Sequence, residues 1–159
     1  MSSSEKLLVS ACLLGSKVRY NGEGQLIDHP FLARLIAEGR VVSVCPEVDG
    51  GLPTPRPPAE IQKSGTSVKV MMINSVDVTA QFVAGANKAL QTAREQDCKF
   101  ALMSARSPSC GNEQIYDGSY SGRLIEGTGI AADLLQRHGI RVFNQFQLDA
   151  LESAMEEGS

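Results

Sequence analysis

The sequence predicts an α/β fold, a three-layer sandwich in which a Rossmann-like, mainly parallel sheet is flanked by helices. Three observations predict it. Short apolar runs alternate with helix-periodic segments along the chain. The connections between them are mostly short, which favours neighbouring elements joined by right-handed crossovers. The strand-like runs are continuously apolar rather than alternating, as expected of strands covered by helices on both faces.

Taken in order, Lys6 to Ala11 is apolar, short and ends at Cys12-Leu-Leu-Gly15, so it reads as a buried strand running into a loop. Pro30 suits the first position of a helix, Leu32, Leu35 and Ile36 share one face, and Gly39 is placed to stop it, which predicts a helix from Pro30 to Glu38. Arg40 to Val44 is the second strand and stops at Cys45-Pro46. Five prolines and two glycines between Pro46 and Pro58 predict an ordered loop, too rigid for a linker. Ala59 to Lys63 and Val68 to Ile73 form the arms of a strand pair turning at Gly65. Thr79 is read as the N-cap of a helix carrying Phe82, Ala86, Ala89, Leu90 and Ala93 and ending near Gln96. Lys99 to Met103 is the third strand, followed by a loop of turn residues from Ser104 to Gly111. A polar, glycine-rich stretch leads from Gly111 to Gly127. A helix over Gly129 to His138 is stopped by Gly139, Ile140 to Phe143 is the fourth strand, and Leu148 to Met155 is the closing helix.

The 159 residues suit a single domain spanning 1–159. A hydrophobic share of 42% and a charged share of 21%, without an apolar run of bilayer length, exclude a membrane protein. No secretion leader with a small-residue cleavage site follows Met1, which predicts a cytoplasmic chain. The net charge of −3 leaves no broad basic surface for macromolecular nucleic acid. In a reducing compartment, four cysteines serve as ligands, nucleophiles or buried apolar groups rather than disulfides.

In a parallel α/β sheet the loops leaving the carboxyl ends of the strands gather on one edge, where ligands bind. Cys12, Cys45 and Cys110 each follow a strand and so meet there, although 33 and 65 residues separate them. Cys98 precedes its strand and belongs at the opposite edge as a buried apolar thiol. Three thiolates without an evident fourth protein ligand suit zinc with an open position or an iron-sulfur cluster with one iron uncapped, against the plainer reading of three buried thiols. His29 and His138 are explained as helix-end residues. Arg19, Arg56, Arg106 and Arg123 fall in loops, where one or two would suit a phosphate. Gly127-Thr-Gly129 offers backbone amides to an anion or simply makes a tight turn.

Val9-Ser-Ala-Cys-Leu-Leu-Gly15, Val18-Arg-Tyr-Asn-Gly22, Cys45-Pro-Glu-Val-Asp-Gly-Gly-Leu-Pro-Thr-Pro-Arg56 with Ala59-Glu-Ile61, Asp77-Val-Thr79, Gly85-Ala86, Ser107-Pro-Ser-Cys-Gly111, Ile115-Tyr-Asp-Gly118 and Gly127-Thr-Gly129 together resemble the thiouracil desulfidase family over almost the whole chain, in order. The resemblance implies a 4Fe-4S cluster on Cys12, Cys45 and Cys110 with one open iron site, and so selects iron-sulfur over zinc. It implies an oxygen-sensitive, non-redox desulfidase that removes sulfur as hydrogen sulfide from a thiolated pyrimidine such as 2-thiouracil, 4-thiouracil or 4-thiouridine monophosphate. An iron without a protein ligand is a Lewis acid with affinity for sulfur, suited to a thiocarbonyl. Glu47, two residues past Cys45, is the expected general base, with Ser104 as its catalytic partner. Ser107 and Arg56 are the expected substrate contacts. The competing reading is a non-catalytic iron-sulfur protein, an electron carrier or oxygen sensor, but an electron carrier gains from a fourth cysteine closing the cluster and none lies in a suitable loop.

Overall fold

The computed structural model describes residues 5–157; the reading of residues 1–4 as lacking a secretion leader lies outside them. The elements run β1 (Leu7–Ser10), a 3-10 turn (Ala11–Leu14), α1 (Pro30–Ala37), β2 (Val41–Val44), α2 (Pro46–Asp49), β3 (Ala59–Ser64), β4 (Ser67–Met72), α3 (Thr79–Glu95), β5 (Phe100–Leu102), β6 (Gln114–Tyr116), β7 (Leu124–Glu126), α4 (Ile130–Arg137), β8 (Arg141–Phe143) and α5 (Leu148–Glu157).

Four of the strands make one parallel sheet in the order β2-β1-β5-β8, with Leu7 opposite Val41 on one side and Phe100 on the other, and Phe100 opposite Arg141. Strand β1 is central, and all four of its residues are buried because helices cover both faces. Leu7, Val9, Phe100 and Leu102 face one way and pack with Phe31, Leu32 and Leu35 of α1 and Leu148 and Leu151 of α5. Leu8, Val44, Ala101 and Val142 face the other way and pack with Leu90 and Ala93 of α3 and Ala132 and Leu135 of α4. The expected three-layer sandwich is thus present. Each fully buried leucine contributes about 1.5–3 kcal/mol from burial alone. A third cluster, centred on Phe82, Ile61, Val70 and Ile115, joins the β3-β4 hairpin to the start of α3 and to β6.

Three expectations are corrected. Pro46–Asp49, read as loop, is a single helical turn: Pro46 is its first residue, and the Asp49 carboxylate accepts the Cys45 N–H at 3.1 Å. The polar stretch after Gly111 contains the antiparallel pair β6-β7, whose arms of three residues are too short to carry a legible alternation. Thr79 is not the N-cap of α3. Val78 holds that position, and the Thr79 hydroxyl instead accepts the Val70 N–H at 2.9 Å, tying the helix to β4. Cys98 lies at the far edge as expected, 5% exposed and packed in the α3-α4 core layer. No helix among the described residues is long and apolar enough to cross a membrane.

Candidate metal centre and active site

Because β1 is flanked by β2 on one side and β5 on the other, the chain leaves β1 at a point where the strand order reverses, and loops diverging from such a point open a crevice at the carboxyl edge. A cavity of about 470 Å³ lies there, lined among others by Cys12, Cys45, Cys110, Glu47, Arg56, Ser104 and Ser107. All seven residues singled out in the sequence therefore border one space.

Each thiol is carried by a fixed local structure. Cys12 sits on the 3-10 turn after β1, where its carbonyl accepts from Gly15 at 3.1 Å and from Gln25 at 2.7 Å. Cys45 is the N-cap of α2. Cys110 lies in a turn held by the start of α4: Ile130 N–H donates to the Pro108 carbonyl at 2.9 Å, and Ala131 and Ala132 both donate to that of Ser109, at 2.8 and 3.0 Å. A Cβ at Gly129 would fall 2.5 Å from the Ser109 carbonyl carbon, so glycine is needed for this approach. The Gly127-Thr-Gly129 segment serves the Cys110 turn, and its helix amides are occupied by that turn's carbonyls rather than free for an anion.

Burial pushes all three thiols above their ordinary range. At Cys110 it does so up to about 12, opposed by hydroxyls of Ser10 and Ser109, whose Oγ atoms lie 3.4 and 3.2 Å from its Sγ. At Cys12 burial is opposed chiefly by the Ser104 hydroxyl and then the Arg19 charge. At Cys45 it is opposed by the Val48 amide, which approaches the sulfur without closing a hydrogen bond of good geometry. Thiols so disposed give up their protons to a metal that replaces them. Among the described residues no three His, Cys, Asp or Glu side chains are gathered as a single-ion site. Three sulfurs spread around a cavity suit a cluster, which offers a separate iron to each, better than one zinc ion closed on three thiolates.

Glu47 is placed by α2. That turn lies close against α3, where a Cβ at Gly85 would meet the Pro46 carbonyl oxygen at 1.7 Å. Arg56 donates to Glu47 Oε1 from Nη2 at 2.8 Å and from Nε at 3.0 Å. Its remaining donors go to the Pro53 carbonyl at 3.1 Å, Thr54 Oγ1 at 3.2 Å and the Val18 carbonyl at 3.1 Å. All five N–H groups of Arg56 are thus committed within the chain, and the residue is only 8% exposed. This corrects its expected place: the guanidinium has no free donor for substrate and instead holds Glu47. The other carboxylate oxygen, Oε2, faces the hydroxyls of Ser109 at 3.2 Å and Ser107 at 3.4 Å.

Ser107 Oγ also accepts the amides of Ser109 and Cys110, each at 3.1 Å, so it shapes the turn as well as facing Glu47. Ser104 is buried beside Cys12, and its N–H donates to Ser10 Oγ at 3.2 Å. Ser10 and Ser109 were not singled out from the sequence. Ser109 adjoins Cys110 within Ser107-Pro-Ser-Cys110, a signal available in principle, whereas Ser10 reads as an ordinary strand residue. His29 caps α1 through Nδ1, and His138 bonds the Leu134 carbonyl at the end of α4, both as expected of helix-end residues. Of the loop arginines besides Arg56, Arg19 and Arg106 line the cavity, while Arg123 does not and lies near Asp117.

A family model described as 2-thiouracil desulfurase matches residues 7–147. An uncharacterized protein of Bacillus subtilis (strain 168), YbbK, is 38% identical over 150 residues, covering 90% of this chain and 97% of its own. The solved structure of a [4Fe-4S]-dependent thiouracil desulfidase, TudS, superposes with a TM-score of 0.90 at 48% identity, covering 96% of this chain and 98% of that one.

Proposed function

The chain belongs to the 2-thiouracil desulfurase family, and from that membership we propose that it is a 4Fe-4S-dependent desulfidase that replaces the sulfur of a thiolated pyrimidine by oxygen and releases hydrogen sulfide. One observation carries the reading: three thiols and a clamped carboxylate border a single cavity at the switch point of the sheet. We read residues 1–159 as one domain, which the match over 7–147 and the continuous sheet support.

Cys12, Cys45 and Cys110 are the proposed ligands. The cluster supplies, when bound, an iron without a protein ligand that attracts sulfur and makes the attached carbon more electrophilic. Water is the oxygen donor, so the reaction exchanges C=S for C=O and requires no electron. Glu47 is the proposed base that takes the proton from this water, its Oε1 immobilised by Arg56 and its Oε2 directed to Ser107 and Ser109. Ser104, buried beside Cys12, is the proposed partner that donates or relays a proton. Ser107 forms part of the wall that the substrate meets. Arg56 positions the base.

An electron carrier has no use for a cavity of this size beside its cluster, and that alternative is not favoured. The test is an anaerobic assay of reconstituted protein for sulfide release from thiobases, thionucleosides and thionucleotides. Release that follows iron and sulfide loading and is lost in air is the expected result. Loaded protein that frees no sulfide from any of them overturns the reading.

A further inference from the structure

Phe146 is 71% exposed, beside a cavity that already has much apolar lining, and the surrounding loop is too well anchored for this to be slack. The anchor is Asn144, 3% exposed, whose side-chain amide donates to Asn112 Oδ1 at 2.9 Å and Glu113 Oε1 at 3.2 Å and whose Oδ1 accepts the Phe146 N–H at 2.9 Å. Gln147 Oε1 accepts from Asn144 N–H at 3.0 Å and from Asn112 Nδ2 at 2.9 Å. Amides so linked, with the buried Asn144 at their centre, fix a loop in one shape. They fix here a loop that displays an aromatic ring, with the Arg106 guanidinium 5.9 Å from the ring centre. Arg106, itself a cavity residue, holds a left-handed backbone at φ 67°.

The neighbouring residue completes the pattern. Gln145 Oε1 accepts the Ala105 N–H at 2.8 Å. A backbone N–H must meet the oxygen of the carboxamide, so the assignment of oxygen and nitrogen at Gln145 is settled, and its Nε2 remains a donor with no partner among the described residues. Gln145 and Phe146 both line the cavity.

We propose that Gln145 and Phe146 form the base-recognition pair of the active site, Phe146 stacking on the pyrimidine ring and Gln145 Nε2 donating to the carbonyl oxygen that the substrate retains. The proposal rests on the desulfidase reading and adds to it the residues that would discriminate a thiopyrimidine with one sulfur and one keto oxygen from one with an exocyclic amine in the keto position, as in thiocytosine. A donor on the protein pairs with the first and is left facing another donor by the second.

The test compares 2-thiouracil with 2-thiocytosine in the reconstituted holoenzyme. The parent is expected to prefer 2-thiouracil in kcat/KM. Gln145→Glu keeps an oxygen for the Ala105 N–H and presents an acceptor in place of Nε2, so the preference is expected to fall at least tenfold toward 2-thiocytosine. Phe146→Ala is expected to raise KM for both by roughly ten- to a hundredfold, the loss of one base–aromatic stack, with kcat little changed and Phe146→Trp restoring KM. Calorimetric titration with uracil and cytosine, which needs no turnover, should show the same shift of preference toward cytosine in Gln145→Glu. An unchanged ratio in a Gln145→Glu variant that still releases sulfide overturns the role of Gln145, and an unchanged KM in Phe146→Ala overturns that of Phe146. A parent that releases no sulfide from these bases or from the corresponding thionucleosides and thionucleotides overturns the desulfidase reading instead.

Discussion

Arg56 grips one oxygen of Glu47 with two donors, at 2.8 and 3.0 Å, and thereby turns the other oxygen toward Ser107 and Ser109. A planar guanidinium with all five donors engaged is a rigid support that no ammonium can reproduce. The pair also joins α2 to the loop that follows it and to the loop after β1, since Arg56 reaches Pro53 and Thr54 in the first and Val18 in the second.

Arg56→Lys should therefore retain the charge but lose the clamp. The expected outcome is a cluster content near that of the parent, judged by iron and sulfide analysis, with sulfide release reduced by at least tenfold. Arg56→Ala leaves Glu47 without its buried partner and should destabilise the fold by about 3–5 kcal/mol in chemical denaturation. An Arg56→Lys enzyme with parental kcat would show that Glu47 needs no such support.

Cys12→Ala, Cys45→Ala and Cys110→Ala should each abolish the brown colour and the bound iron after anaerobic reconstitution. Cys98→Ala should keep both, because Cys98 lies in the core layer before β5, away from the cavity. A colourless Cys98→Ala protein that remains folded would contradict this ligand set.

Burial pushes the Cys98 thiol up to about 11, with Lys6 opposing and Asp97 adding to the shift. The folded state thus favours the protonated thiol, and its contribution to stability is complete below the ordinary thiol range. That contribution disappears as pH climbs from about 9 toward 11, where the unfolded chain ionises first. Denaturation midpoints of the holoprotein should accordingly fall more steeply over this window in the parent than in Cys98→Ala. Parallel pH profiles would place Cys98 in a more hydrated setting.

Much of this site was legible because strand ends and chemistry coincide. Ser10, Val44 and Leu102 close three parallel strands, and the cysteine or serine that follows each must emerge at the same edge. Glu47 was reached by its nearness to Cys45, but the direction of its carboxylate was not, since this depends on Arg56 folding back across nine residues. The same dependence misled the reading of Arg56: a loop arginine looks available until its donors are counted. Ser10 was missed because its hydroxyl matters only through tertiary contact with Cys110 and Ser104. The α2 turn was hidden by surrounding prolines, although Pro46 is a favoured helix-starting residue.

Glu47→Gln tests the proposed chemistry most closely, because the environment of the side chain can accept it. The retained oxygen can still receive both donors of Arg56, and the new amide can donate to Ser109 Oγ, reversing a bond that now runs from Ser109 to Glu47 at 3.2 Å. Ser107 Oγ, which already accepts two amides, is a poorer recipient. Fold and cluster content should therefore stay near those of the parent, while basicity is gone. Removal of a positioned base costs on the order of a hundredfold to ten-thousandfold in rate. Glu47→Ala should lose activity to a similar degree and should also be less stable, since it strands the Arg56 guanidinium in a buried position. The contrast separates the two duties of the carboxylate: equal loss of turnover in both variants, with unequal loss of stability. If Glu47→Gln with its cluster intact turns over close to the parental rate, the base is another group, and a water relayed through Ser104 beside Cys12 becomes the alternative to examine.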